Sequence, residues 1–278
     1  MASSDPVRTL VQPVEHAARR VAPWIARLAR TGYFAKAVLY AAVGILAAQA
    51  ALGEGGRTTD MNGALREVLR APVGNLLLFI CSVGLAAYAL WRTVDALVDV
   101  EGHGRSFRGI ADRLGSALSG VTHGLLALTA FHLAAGAGDG GGTSSHRLAA
   151  HLFNLPGGQW LAWLVALGLL ADGVIQIING CAAKLDRQLN LAALPQRVAR
   201  YVIHVSRVGI GARGVVFAVI GILLLRAVVR RDPGRAGGMR ESLELLGQTG
   251  HWLLVFAALG LVAYAFYQLL NARYRRIP

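Results

Sequence analysis

The sequence LVALGLLADGVIQIING, residues 164–180, is an apolar run with a carboxylate, Asp172, near its middle. With its flanking residues, and at about 1.5 Å per residue, it is long enough to cross a hydrocarbon core of about 30 Å. Inside lipid such a segment is helical, because a helix satisfies its own backbone polar groups. A carboxylate at that depth is costly in lipid. The stretch therefore predicts a membrane-spanning helix with one face turned toward other helices.

The rest of the chain has the same character. Of its 278 residues 55% are hydrophobic and 15% are charged, and the mean hydropathy of +0.49 is too high for an ordinary soluble domain. The apolar windows lie at about residues 32–52, 74–94, 114–135, 159–181, 207–229 and 251–271. The composition therefore predicts an all-α integral membrane protein with six transmembrane helices.

Positive charge is concentrated in alternate loops. The formal net charge is +13, and about two thirds of the 28 lysine and arginine residues fall in the N-terminal arm, the 2/3 loop, the 4/5 loop and the C-terminal tail. By the positive-inside rule this predicts a multi-pass protein of the cytoplasmic membrane with both termini in the cytoplasm. No recognisable nucleic-acid-reading module accompanies the charge, so nucleic acid is not an expected partner.

Basic residues near the span ends indicate contacts with lipid. The segment ARRVAPWIARLAR, residues 18–30, predicts a basic interfacial helix on the anionic cytoplasmic leaflet. Long basic side chains near span ends can also reach the interface by snorkelling. The predicted lipid and interface contacts are Arg19, Arg20, Arg27, Arg30, Lys36, Arg213 and Arg226.

The chain contains three copies of one unit, in which a helix, an outer loop and a second helix follow each other. Glycines recur at equivalent positions in the copies: Gly32, Gly115 and Gly209; Gly74, Gly158 and Gly250; Gly84, Gly168 and Gly260. Each outer loop carries a short amphipathic segment, at residues 58–69, 144–153 and 237–246, which predicts an interfacial helix. The predicted division is a basic arm at 1–27 and repeats at 28–98, 99–183 and 184–278, in pseudo-threefold order.

The repeat resembles the two-helix unit of the domain of unknown function 1206 family. The segments that carry the resemblance are LARTGYFAKAVLYAAVGILA (28–47), APVGNLLLFICSVGLAAYALWR (71–92), VSRVGIGARGVVFAVIGILL (205–224) and QTGHWLLVFAALGLVAYAFYQ (248–268). The second copy departs from the pattern, because Ser119 replaces its basic residue and His123 its aromatic one. The resemblance implies this fold and a bacterial membrane location, and it implies no activity.

The even-numbered spans share a polar stripe. Asp172 has Tyr88 and Tyr264 as its equivalents, and polar residues follow four and seven positions later in each copy. Such positions share one helical face, which we expect to point inward. The candidate buried polar or proton-relay residues are Tyr88, Arg92, Asp95, Asp172, Gln176, Asn179, Tyr264, Gln268 and Asn271, together with His123 on the third span.

His123 and Asp172 are predicted to meet within the second hairpin, because they lie at similar distances from the terminal side of the membrane. The corresponding pairs are Tyr40 with Tyr88 and Phe217 with Tyr264. The His123–Asp172 pair would either fasten the bundle or form part of a proton or ion path.

No cofactor or metal site is expected. Haem would need axial histidines on facing helices. His123 and His132 fall on roughly opposite faces of one helix, while His204 and His251 lack a clear symmetric counterpart, and no CxxC or HExxH spacing occurs.

The sequence is compatible with three classes of function. A non-catalytic scaffold or accessory subunit, packing against other membrane proteins, lipid or itself, fits the small-residue faces and short loops. A small transporter or proton-conducting channel using His123 and Asp172 is the alternative. An enzyme is not expected, because no nucleophile elbow, paired carboxylates on one face or nucleotide site is recognisable.

Overall fold

The computed structural model describes residues 6–99, 104, 106–137, 145–182, 189–191 and 195–275. The side chains of residues 6–26, 28, 107–108 and 145 lie outside that description. The predicted lipid contacts Arg19 and Arg20 are among them.

Regular structure in these ranges is helical, apart from a single bridge between Leu189 and Arg275. The elements are α1 (Pro6–Leu52), α2 (Met61–Arg70), α3 (Gly74–Val98), α4 (Phe107–Ala134), α5 (Ser145–Asn154), α6 (Gly158–Ala182), α7 (Gln196–Arg230), a short 3₁₀ turn (Pro233–Arg235), α8 (Met239–Thr249) and α9 (His251–Tyr274). Six stretches are long and apolar enough to cross a membrane: Ala29–Leu52, Gly74–Val98, Gly109–Ala134, Gly158–Ala182, Gln196–Arg230 and His251–Tyr274. The predicted fold class, with six spans in three repeats, is confirmed.

Each repeat consists of two spans joined through a short helix. The short helices α2, α5 and α8 lie at the ends of the spans opposite the start of α1 and the end of α9, on the side called here the outer face. Side-chain capping stabilises the first turn of two of these helices. The Asp60 carboxylate accepts the Gly63 N–H at 2.8 Å at the start of α2, and Glu241 accepts the Gly238 N–H at 2.7 Å at the start of α8. These caps satisfy backbone donors that a helix start leaves without a partner.

The spans are arranged as a ring in which successive repeats make the most extensive contacts. These are α3 with α4, α6 with α7, and α9 with α1. The hairpin contacts α1 with α3 and α7 with α9 are smaller. In the described parts of the second hairpin, α4 and α6 do not pack against each other. The pseudo-threefold ring therefore has one open side, bordered by α4 and α6.

Glycine positions show what is missing at the open side. In the first repeat a Cβ at Gly32 would lie 2.4 Å from the Tyr88 Cβ, so the two helices touch there backbone to backbone. In the third repeat a Cβ at Gly209 would lie 2.4 Å from the Tyr264 backbone nitrogen. At the equivalent Gly115 of α4 a Cβ would meet nothing within 4 Å. The second repeat thus has the equivalent glycine, but no described residue of another helix packs closely against it.

The partner helix of that repeat shows the same difference. A Cβ at Gly84 would lie 2.7 Å from the Thr31 carbonyl oxygen, and one at Gly260 would lie 2.1 Å from the Ala212 Cβ. At the equivalent Gly168 of α6 a Cβ would again meet nothing within 4 Å. The buried fractions of the spans show the same difference. Only 22% of the apolar part of α4 and 17% of that of α6 are buried, against 56% for α3 and α9.

Candidate functional site

A band of polar and aromatic side chains crosses the interior of the ring, reaches its open side at the exposed Asp172, and has members on all six spans. We call this band the interior seam. Its members are Lys36 and Tyr40 on α1; Tyr88, Arg92 and Asp95 on α3; Ser116 and His123 on α4; Asp172 and Gln176 on α6; Arg213 and Phe217 on α7; and Tyr264 and Gln268 on α9.

Ring contacts in the seam join neighbouring repeats. The Tyr40 and Tyr264 rings meet edge to face with their centroids 4.7 Å apart. The Tyr88 and His123 rings do the same, also at 4.7 Å. Edge-to-face packing at this distance is favourable for aromatic pairs. The two contacts occupy equivalent positions, at the interfaces of repeats three with one and one with two.

This geometry corrects the predicted pairing of His123 with Asp172. His123 contacts Tyr88, and its Nδ1 lies 2.7 Å from the Ser119 carbonyl oxygen. Asp172 instead accepts a hydrogen bond from the Gln176 side-chain amide. The reason is that α4 packs on α3 of the preceding repeat and stands apart from α6.

The other two predicted hairpin pairs are replaced as well. Tyr40 has Tyr264 as its ring partner instead of Tyr88. Phe217 and Tyr264 are bridged by the Arg213 guanidinium, whose carbon lies 3.8 Å and 5.1 Å from their ring centroids. An arginine between aromatic faces is stabilised by cation–π attraction.

Arg213 links three helices. Its Nε donates to the Tyr40 hydroxyl at 2.8 Å, and its Nη1 donates to the Gln176 side-chain oxygen. Gln176 in turn donates to Asp172. The prediction that Arg213 anchors at the interface is therefore wrong, because its guanidinium is held inside the ring.

Lys36 is likewise an interior residue. Its side chain is only 6% exposed, its Nζ donates to the Tyr88 hydroxyl at 3.1 Å, and the ammonium lies 4.3 Å from the centroid of the Tyr88 ring. The prediction that Lys36 anchors at the interface is wrong for the same reason. Lys36 and Arg213 occupy equivalent repeat positions, one turn before Tyr40 and Phe217, and that i, i+4 spacing was the sequence signal that could have placed them inside.

Asp95 forms a separate buried ion pair at the interface of the first and second repeats. It is 0% exposed, accepts the Ser116 hydroxyl at 2.8 Å and lies 3.5 Å from the Arg92 guanidinium. Sequence reasoning placed both Asp95 and Arg92 on the stripe but missed Ser116, whose repeat equivalents are Tyr33 and Ile210. A buried carboxylate needs such donors to offset its desolvation.

Of the remaining residues of the polar stripe, two are buried and two are exposed. Gln268 and Asn271 are buried, with Gln268 donating to the Tyr264 hydroxyl and Asn271 to the Tyr267 carbonyl. Asp172 and Asn179 are exposed, which corrects the prediction that they are buried. Both lie on α6, and α4, which would cover that face in a closed hairpin, stands apart.

The other predicted residues lie at the surface. Arg27, Arg30 and Arg226 are exposed, and their contact with lipid remains a prediction. His132, His204 and His251 are exposed on three different helices. Within the described ranges no three His, Cys, Asp or Glu side chains are grouped as metal ligands.

Fold and seam together define a six-span helical membrane protein built from three tandem repeats. The chain belongs to the family described as Domain of Unknown Function (DUF1206), which matches residues 31–99, 114–183 and 208–275. It is 34% identical over 257 residues to the uncharacterized protein YxxB of Bacillus subtilis (strain 168), covering 92% of this chain and 93% of that protein. No solved structure matches the chain.

Proposed function

We propose that the protein is a non-catalytic accessory subunit of a bacterial cytoplasmic membrane, and that its open side receives a transmembrane helix of another membrane protein. The observation that carries the proposal is the unused glycine faces of α4 and α6. In lipid, helices associate through close packing at small residues, because the lipid supplies no hydrophobic drive. Gly115 and Gly168 leave room for a helix to approach closely.

The chemistry of the open side indicates what the arriving helix carries. Asp172 is exposed on α6 and accepts a hydrogen bond from Gln176, which is itself held by Arg213. A carboxylate facing acyl chains at mid-span costs about 2.5–3.5 kcal/mol or more. A partner helix with a lysine, arginine or amide at this depth would offset that cost. The proposed occupant is therefore a transmembrane helix with one such donor.

The proposed orientation has both termini in the cytoplasm. Support comes from the excess of basic residues on the terminal side and from a relative in a bacterium. The exposed Arg27 and Arg30 then lie at the cytoplasmic leaflet, where anionic lipid headgroups are the proposed contacts.

Site-specific photo-crosslinking in native membranes tests the proposal. A photoreactive residue at Gly115 or Gly168 should capture the same membrane protein from both positions. The matched controls are Leu90 on α3 and Leu259 on α9, which are 47% and 56% exposed and lie away from the open side. Crosslinking at these control positions should yield lipid adducts only.

Two results would contradict the docking proposal. Capture of a second copy of this chain from both positions would indicate self-association instead. Efficient disulfide formation between Gly115→Cys and Gly168→Cys within one purified chain would show that the second hairpin closes on itself, leaving no room for a partner helix.

A second candidate function, proton or ion passage, is favoured by the continuity of the seam. Lys36 contacts Tyr88, and Tyr88 contacts His123, so the three side chains form a continuous line. Buried ionisable groups in membrane spans commonly mark ion paths. Purified protein in proteoliposomes should then carry a proton or ion flux that Lys36→Met and His123→Phe abolish and that Arg226→Met leaves unchanged. Equal flux in all these proteins and in empty liposomes would reject this candidate.

A further inference from the structure

We propose that a cavity on the outer face binds a phosphate group, held by one arginine from each of the three outer helices. The cavity has a volume of about 380 Å³ and is lined by residues of all three repeats. Ligand pockets in proteins commonly have volumes of roughly 300–1,000 Å³. The lining does not use the facing sides of α4 and α6, so the docking proposed above can fail without affecting this site.

Four arginines of the described residues line the cavity. Each outer helix contributes one of them, namely Arg66 of α2, Arg147 of α5 and Arg240 of α8, and Arg57 precedes α2. Arg57 lies 3.1 Å from the Glu67 carboxylate, but a guanidinium has five N–H donors and can bind a carboxylate and a ligand together. A phosphate group has three strong acceptor oxygens and can accept from several sides at once. Guanidinium groups that converge from three helices therefore suit a phosphate better than a planar carboxylate.

The walls of the cavity are joined to one another by side-chain contacts between repeats. The Thr58 hydroxyl of the first repeat donates to Glu244 Oε1 of the third at 3.2 Å, and Arg240 Nε donates to the same oxygen at 2.8 Å. His146 Nε2 of the second repeat lies 3.7 Å from Glu241 Oε1 of the third. The three outer helices are thus held around the cavity before a ligand arrives, which lowers the cost of binding.

The electrostatics of the cavity favour an anion. Three carboxylates, those of Asp60, Glu241 and Glu244, share the lining with the four guanidinium groups. Two of them cap helix starts, because Asp60 accepts the Gly63 N–H and Glu241 accepts the Gly238 N–H. The lining includes first-turn residues of α2, α5 and α8, and a helix N-terminus carries about half a positive charge. The helix starts therefore offset part of the carboxylate charge, and the cavity remains positive.

Binding of radioactive inorganic phosphate to the purified full-length protein tests the site. In dodecyl maltoside, a detergent without phosphate, equilibrium dialysis should show saturable binding. Arg147→Met should weaken binding at least about tenfold, since a charge-assisted hydrogen bond is lost. Arg147→Lys should weaken it less, because the positive charge remains. Arg235→Met is the matched control, because Arg235 is an exposed cation of the outer face outside the cavity lining, and it should leave binding unchanged.

A competition experiment distinguishes the two sources of such a group, a lipid headgroup and a soluble phosphate ester. Phosphatidylglycerol added to the micelles should displace the radioactive phosphate if a headgroup is the natural ligand. Displacement by glycerol phosphate, with no effect of the lipid, would identify a soluble ester instead. Either result supports a phosphate site.

Three results would overturn the proposal: no saturable binding in the unchanged protein, equal binding in Arg147→Met, or competition by acetate as strong as that by unlabelled phosphate. The last would show a site for carboxylates as much as for phosphates. Should Arg147→Met fail to fold, Arg240→Met decides the question, because that side chain is 59% exposed and belongs to a different repeat. Unchanged phosphate binding in Arg240→Met would then reject the site.

Discussion

The Tyr88 ring and the His123 imidazole pack edge to face with their centroids 4.7 Å apart, and these two residues belong to different repeats. Tyr264 and Tyr40 repeat the contact at the same distance where the third repeat meets the first. These contacts lie at interfaces between repeats, which are also where the helices of the ring pack most extensively, whereas the contacts within a hairpin are smaller.

If ring packing is the role of His123, an aromatic replacement should preserve it. His123→Phe is expected to change the free energy of unfolding by less than about 1 kcal/mol, and His123→Ala should lower it by about 1–3 kcal/mol. Reversible unfolding of purified protein in mixed micelles measures both. Equal losses in the two variants would show that the imidazole nitrogen, bonded to the Ser119 carbonyl, matters more than the ring.

Equivalent glycines should respond differently in different repeats. Gly32→Leu forces a side chain into the Tyr88 backbone region and should destabilise the fold by about 3 kcal/mol or more. Gly115→Leu meets open space and should leave the stability of the purified protein nearly unchanged. The measurement is the unfolding midpoint of each variant in the same detergent. A strong loss in Gly115→Leu would indicate that α4 and α6 pack together in solution.

Arg213 should be a major contributor to stability. Arg213→Ala removes two hydrogen bonds and the stacking on Phe217, and we expect a loss of about 2–4 kcal/mol. Arg213→Lys should recover only part of it, because an ammonium cannot bridge the same acceptors as a planar guanidinium. Arg226→Ala, at an exposed position, is the control and should cost less than about 0.5 kcal/mol.

The two carboxylates of the polar stripe, Asp95 and Asp172, should contribute differently to the stability of the purified protein. Asp95→Ala leaves Arg92 without its buried carboxylate and should cost about 3–5 kcal/mol. Asp172→Ala should cost less than about 1 kcal/mol, since that side chain is exposed and its hydrogen bond is to the neutral Gln176 amide. Comparable losses measured by the same unfolding assay would mean that Asp172 is covered in solution.

The orientation can be measured with a membrane-impermeant maleimide on intact cells. In a background with Cys81 and Cys181 replaced by serine, Glu54→Cys in the first outer loop should be labelled, and Arg273→Cys near the end of α9 should react only after the cells are opened. The opposite pattern would place the termini outside the cell.

The spans, the three repeats and the outer helices could be predicted because they depend on local patterns. Apolar windows set the spans, and recurrent glycines align the copies. The partner of each seam residue could not be predicted in this way, because glycine faces allow close approach to either neighbouring helix. Pairing His123 with Asp172 assumed that a hairpin connection implies contact, whereas α4 packs more extensively on α3.

Lys36 and Arg213 illustrate a different difficulty. A basic residue near a span end normally indicates the lipid interface. Here the residue one turn later, Tyr40 or Phe217, faces the ring interior, and the basic side chain shares that face. The position of each basic residue along its helix suggested the lipid interface, whereas its position around the helix places it inside the ring.

The contact between α9 and α1 joins the last span to the first, so the break in the ring falls in the middle of the sequence. Taken around the ring from one edge of the break to the other, the spans run α6, α7, α9, α1, α3, α4. A circularly permuted gene that fuses the present ends and starts anew between α4 and α5 would have each neighbour in space also a neighbour in sequence. In such a permutant the six spans would follow one another along the chain in the order in which they pack, and the new ends would lie at the two edges of the break.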